Sequence, residues 1–278
     1  MSCRSGARSV SFTVTAVDPI RSASLQFELL PIPSPIHREI YGSTLWMAAT
    51  EVTQRQWTAV MGSNPSSPRS KFGGARRGSE PDYPVHNVSL CDSIVFANRL
   101  SERDGLTPAY AVPAGFVADL RAESCNALAG SVEAVAGADG YRFPTRQEQR
   151  DSNPYHGNQP SCETANLREG SDISPLKRDT VAITCDDHFP GLAPVASLSA
   201  DANRVYDLRG NVAEWGFELH EREAPSRGGG SLEPETWDVF GADWSTPARA
   251  SIYARPMEAG ESDAKVGLRV VRSVPGPT

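Results

Sequence analysis

The 278-residue chain is short of several things that would have pointed to a function. No window approaches 18 consecutive apolar residues, so a transmembrane helix is not expected. The first thirty residues lack a 7–15-residue apolar core, so they show no secretory leader. Basic residues are outnumbered, giving a net charge of −7, and phosphate binding needs the opposite balance, so a nucleic-acid partner is not expected. A local basic cluster, Arg69, Lys71, Arg76 and Arg77, lies among Ser, Pro and Gly and reads as a solvated loop. Histidines are few and scattered (37, 86, 156, 188, 220), with no HxH or HxxxH, and His220-Glu221 has no second His at zincin spacing. Gly228-Gly229-Gly230 has no Lys-Ser/Thr after it, which argues against a phosphate loop. Five cysteines (Cys3, Cys91, Cys125, Cys162, Cys185) make no CxxC and no zinc spacing. None follows Cys185, leaving 93 residues without a thiol.

Glycine and proline are plentiful, 23 and 22 residues, and 39% of the chain is hydrophobic. That is enough apolar material for a sizeable core, cut by many turns. Residues 1–24 are small and polar, with a possible strand at Ser11–Ala16, and read as a tether or edge strand before a domain over 25–275. Leu25–Leu29 alternates like a half-buried strand, which Pro31, Pro33 and Pro35 are expected to end. Thr53-Gln-Arg-Gln56 is a capping box for a helix that Gly62 stops. A second helix is predicted over Asp92–Arg103, apolar nearly all round and therefore buried. Cys91, after an apolar run, reads as a small buried hydrophobe. Residues 111–138 have weak periodicity and receive no element. Tyr141–Phe143 reads as a strand entering a short, poorly anchored helix, with Thr145 and Glu148 as a second capping box. Mostly loops and short strands follow, rich in aromatics, and Val266–Arg272 is expected to close the sheet.

One stretch organises the rest: VYDLRGNVAEW, residues 205–215. Gly210-Asn211 marks a turn because both residues tolerate positive φ. Asp207 and Glu214 flank it, and carboxylates beside turn carbonyls are the materials of a calcium site. The same segment resembles the GLYDMxGNVWEW signature of the formylglycine-generating enzymes, or sulfatase-modifying factors. Further matches to that family fall in order: AATEVTQRQWTAVMGSNPS (48–66), PVHNVSLCDSIVFANRLSERDGLTPAY (84–110), GYRFPTRQE (140–148), ANL (165–167), APV (193–195), SRGGGS (226–231) and VGLRVVR (266–272).

The resemblance implies an α+β, irregular, loop-rich domain of the C-type-lectin-like kind with few short helices and strands. It implies structural calcium (Ca2+) held by Asn166, the Leu167 carbonyl, Asp187 and the Phe189 carbonyl, with His188 standing where the family has Gly. A second ion would use Asp207, Gly210, Val212 and Glu214. By the same resemblance Cys162 and Cys185 form a disulfide, which would put the protein in the periplasm or outside the cell; otherwise it is expected in the cytoplasm. The family's oxidases bind copper through two cysteines just after the RGGS element. Here SRGGGS is followed by Leu232–Val239 without a cysteine, so no copper is expected.

The reading is therefore a non-catalytic binding or scaffold module, stabilised by calcium. It would recognise a peptide, protein or carbohydrate through C-terminal loops carrying Arg227, Trp237, Phe240, Trp244 and Tyr253. Two alternatives stay open: a diverged oxidative enzyme acting on a peptide or small metabolite, and a retroelement-diversified binding protein of the same fold.

Overall fold

The structure, a computed structural model, describes residues 10–14, 25–32, 43–66, 80–152, 161–167, 187–189, 191–219, 236–240 and 255–275. Four short helices and ten short strands make a mixed α+β, loop-rich fold among these residues. The first sheet has the order β1-β2-β3-β10 and is antiparallel throughout: β1 (Val10–Val14), β2 (Leu25–Ile32), β3 (Ser43–Ala48) and β10 (Val271–Pro275). The possible N-terminal strand is thus found as β1, paired with β2 from Val10↔Leu29 to Val14↔Leu25.

Pro31 does not end β2, which runs on to Ile32 with Pro31 opposite Trp46. Among the described residues the register with β1 runs from Leu25 to Leu29, short of Pro31.

Both sequence-predicted caps form. The side chain of Thr53 accepts from the Gln56 amide and the Gln56 side chain accepts from the Thr53 amide, starting α1 (Gln54–Met61), which Gly62 ends at φ +83°. α2 (Leu90–Arg103) begins two residues before the expected start, capped by Ser89. Its Ile94, Phe96, Ala97 and Leu100 are fully buried, and Phe96 stacks on Trp57 of α1 with ring centroids 5.0 Å apart. Each large apolar side chain taken wholly from water contributes about 1.5–3 kcal/mol, so this helix pair anchors the main core.

The unassigned stretch after it contains β4 (Tyr110–Ala111), α3 (Ala122–Ala129) and β5 (Glu133–Ala134). Cys91 is not a free hydrophobe but is disulfide-bonded to Cys125 of α3. Its burial, 0% exposed, is as expected; the partner stands 34 residues on, in a segment without periodicity.

The helix after the GYRFPTRQE motif, α4 (Arg146–Ser152), is short as expected yet firmly attached. Glu148 accepts from the Thr145 amide at 2.8 Å and holds both terminal nitrogens of Arg142, at 2.6 and 2.7 Å. That bidentate pair anchors the helix.

The second four-stranded sheet has the order β8-β7-β6-β9: β6 (Ala213–Leu219), β7 (Thr236–Phe240), β8 (Arg255–Glu258) and β9 (Val266–Gly267). Residues 266–272 therefore close no single sheet. β9 lies parallel to β6, whereas β10 lies antiparallel to β3. Between them the carbonyls of Leu268 and Val270 accept from the amides of Val52 and Ala48, at 2.9 Å each. One apolar run stitches the two sheets together and leaves Arg269 at the seam. Among the described residues no helix is long and apolar enough to cross a membrane.

Candidate calcium-binding loops and ligand surface

The turn at Gly210-Asn211 forms as its residue types require. Asp207, Gly210 and Asn211 have φ of +57°, +92° and +59°. Gly210 makes a parallel bridge with Asn166, and a Cβ at this position would overlap the Asn166 carbonyl, so only glycine fits. The Asn211 amide donates to that carbonyl at 2.9 Å. The two sets of sequence-predicted calcium ligands are thus joined through one peptide.

In the first set, Asn166, Leu167 and Asp187 are all buried. Asn166 donates through Nδ2 to the Gly191 carbonyl at 2.9 Å and to Asn211 Oδ1 at 3.3 Å. Its Oδ1 is buried and has no hydrogen-bond partner among the described residues. A buried amide oxygen left unmade costs about 1–3 kcal/mol, which a hard cation would recover. Asp187 accepts from the Phe189 amide at 2.8 Å, closing the loop whose carbonyl belongs to the expected set. His188, between them, is held at φ +67°. An all-oxygen set of side-chain amide, carboxylate and carbonyls fits calcium.

The second set is built differently from the expectation. Glu214 is buried, and its Oε1 meets Arg269 Nη2 at 2.8 Å and Nε at 2.9 Å. Its Oε2 accepts from Gln149 Nε2 of α4 at 2.8 Å. Arg269 also donates to the carbonyls of Ala48 and Tyr206, at 3.0 and 2.8 Å. Asp207 accepts from the Ala196 amide at 2.8 Å. Glu51, 1% exposed, accepts from the Val212 amide at 3.0 Å and from Asn211 Nδ2 at 2.8 Å.

Three buried carboxylates therefore surround one guanidinium. Burial raises the Glu51 pKa well above the carboxylate range, and Asp207 and Glu214 add to the rise against Arg269 and the Val212 N–H. Burial likewise pushes Asp207 up to about 6. For Arg269 burial disfavours the charge, but Glu214, Glu51 and Asp207 outweigh it and hold the pKa above its ordinary value. This excess of negative charge favours a cation, although an ion drawing on Glu214 would have to displace Gln149.

Sequence reasoning missed Glu51, Asn211, Gln149 and Arg269. Each lies inside a quoted motif or next to one, and a charged residue in the apolar run VGLRVVR was the available signal.

Trp237 stands on β7, opposite Leu219 of β6 and Met257 of β8. Phe240 is 5% exposed and packs over Gly216, so it belongs to the packing under the hairpin rather than to an open groove, a correction that follows from the missing side chain at 216. Trp215 is fully buried and its indole donates to the Val88 carbonyl at 3.0 Å. Arg227, Trp244 and Tyr253 lie outside the described residues. So does Cys185, while Cys162 is disulfide-bonded to a partner that also lies outside them.

The family model of the sulfatase-modifying factor enzyme 1-like domain matches residues 33–274. The chain belongs to that family. It is 30% identical over 245 residues to the chaperone protein LppX of Paenibacillus barcinonensis, covering 83% of this chain and 81% of the relative. Among solved structures it is similar to Treponema denticola variable protein 1, with a TM-score of 0.60 and 21% identity over 95% of this chain and 92% of that one. CarF gives a TM-score of 0.59 and 20% identity over 83% and 87%. At these identities the structures establish the fold, the C-type-lectin-like one of formylglycine-generating enzymes.

Proposed function

We propose that this sulfatase-modifying-factor-like chain is a non-catalytic, calcium-stabilised module that binds a polypeptide through its C-terminal loops. The observation that carries the reading is the absence of any cysteine after Cys185. Copper(I) prefers soft thiolates, and the positions after Ser231 offer Glu233, Pro234, Glu235 and Asp238, which are hard or inert donors. A polypeptide ligand is favoured over a carbohydrate because a relative 30% identical over 83% of the chain is named a chaperone protein.

Calcium at Asn166, Leu167, Asp187 and Phe189 is supported by the buried Oδ1 of Asn166, which no donor among the described residues reaches. A bound ion would supply the positive charge that ties the loops around 166, 188 and 210 together. The Cys91–Cys125 bond supports an oxidising compartment, periplasmic or extracellular.

The test uses the full chain produced in an oxidising compartment. Chelator should lower its melting temperature and calcium alone should restore it. Reduced, carboxymethylated α-lactalbumin, a permanently unfolded probe, should bind with micromolar-range affinity and lose most of it on Trp237→Ala. A sulfatase-type cysteine peptide incubated with chain and copper should gain no formylglycine by mass spectrometry. Formylglycine in that peptide would establish the oxidative enzyme instead, and no binding of the unfolded probe would remove the polypeptide ligand.

A further inference from the structure

α3 is eight residues long, and its N-cap, Arg121, makes no side-chain capping bond. A helix of this length is unstable by itself in water, so something else must hold it. Three attachments do. Cys125 is bonded to Cys91 in the first turn of α2. Asn126, next along, places both ends of its amide on the segment leaving β8: Nδ2 donates to Glu258 Oε2 at 2.7 Å, and Oδ1 accepts from the Gly260 amide at 2.6 Å. Gly260 lies so close to Ala122 that a Cβ would overlap the helix backbone. The start of α2 grips the same tripeptide, because the Leu90 amide donates to the Ala259 carbonyl at 2.9 Å.

We propose that α3 is a bracket, locked by Cys91–Cys125, that fixes where β8 leaves its sheet and so sets the β7–β8 hairpin against α2. Among the described strands β8 is the outer one of its sheet, joined to β7 from Thr236↔Glu258 to Val239↔Arg255, and α3 restrains its far end. Both sulfurs belong to residues with no exposed surface, so the lock is set when the chain folds and then stays closed. The bracket does not depend on polypeptide binding. Where that reading holds, it presets the surface carrying Trp237.

Hydrogen exchange on the full chain separates the bracket from general stabilisation. Asn126→Ala, which keeps the disulfide, should speed amide exchange along β8 and at Leu90 by about tenfold and leave the β3–β10 ladder unchanged. Gly260→Ala should reproduce that local pattern by steric displacement, and Cys91→Ala/Cys125→Ala should exaggerate it. Unaltered β8 exchange in Asn126→Ala, or acceleration spread evenly over both sheets, overturns the proposal. If the double cysteine variant does not fold, Asn126→Ala and Gly260→Ala decide it. The α-lactalbumin probe plays no part in this readout, so failure of the binding reading leaves the bracket standing and the reverse is equally visible.

Discussion

The guanidinium of Arg269 and the carboxylate of Glu214 meet at 2.8 Å with side-chain exposures of 0% and 5%. This pair joins the seam between the two sheets to the strand that leaves the Gly210-Asn211 turn. Removing one member of a buried pair strands the other charge, at a cost of about 3–5 kcal/mol, whereas replacing both by apolar groups is often mild. Here the cost should lie at the upper end, since Arg269 also lowers the Glu51 and Asp207 pKa values. Arg269→Met should therefore lower the unfolding free energy obtained from urea titration by about 3–5 kcal/mol, with Arg269→Met/Glu214→Leu recovering part of it. A single variant within about 1 kcal/mol of the parent would show that the pair is not structural.

Much of this arrangement could be read from the chain alone, but not the pairings. Thr53 with Gln56, and Thr145 with Glu148, are local signals three residues apart, and both caps form. Gly210-Asn211 is local too, and both residues take positive φ. Reading Cys91 as a small hydrophobe stops short of its bond because the partner stands 34 residues away, in a helix with no side-chain cap to mark its start. Arg269 lies in an apolar run that reads as one strand, yet it falls between β9 and β10, and its contact with Glu214 spans 55 positions and depends on two sheets meeting. The family ligand positions at 166 and 210 lie in separate motifs, and only the folded chain joins them in one bridge.

The Cys91–Cys125 bond restrains a chain segment with a sequence separation of 34, worth about 3–4 kcal/mol in the chain-entropy model. Cys91→Ala/Cys125→Ala should lower stability by that order. In the intact protein, a dithiol reductant should leave both residues unreactive to alkylation until denaturant is added. Rapid alkylation of either one under native conditions would mean that α2 and α3 open far more readily than their burial implies.

Two tyrosines set the alkaline limit. Tyr110 is raised by burial, against the Phe143 amide that its hydroxyl accepts at 2.8 Å. Tyr141 is raised by burial and by donating to Asp104 at 2.6 Å. Both folded pKa values lie above the unfolded value of about 10. Their contribution is complete below that pH and lost as pH rises through the folded values, because the unfolded chain releases the protons first. Unfolding above about pH 10 should then be cooperative, with part of the tyrosinate absorbance appearing only as the fold is lost. Full tyrosinate absorbance in a chain that still shows native circular dichroism would contradict the assignment.

His188 carries the last prediction, because it departs from the resembled family at a position where the backbone is demanding. It sits at φ +67° between Asp187 and Phe189, whose amide is already tied to the Asp187 carboxylate at 2.8 Å. A left-handed conformation costs an L-residue about 1–2 kcal/mol, and glycine avoids this while giving back about 0.5–1 kcal/mol as extra freedom in the unfolded chain. The backbone difference favours glycine, so His188→Gly should stabilise the metal-free protein by about 0.5–1 kcal/mol, less whatever the His188 side chain contributes through its own contact. The Asp187 and Phe189 oxygens belong to the proposed calcium set, and relieving strain between them should also tighten calcium binding a few-fold by calorimetry. A variant less stable than the parent, with weaker calcium binding, would show that the His188 side chain supports the loop by more than its backbone strains it.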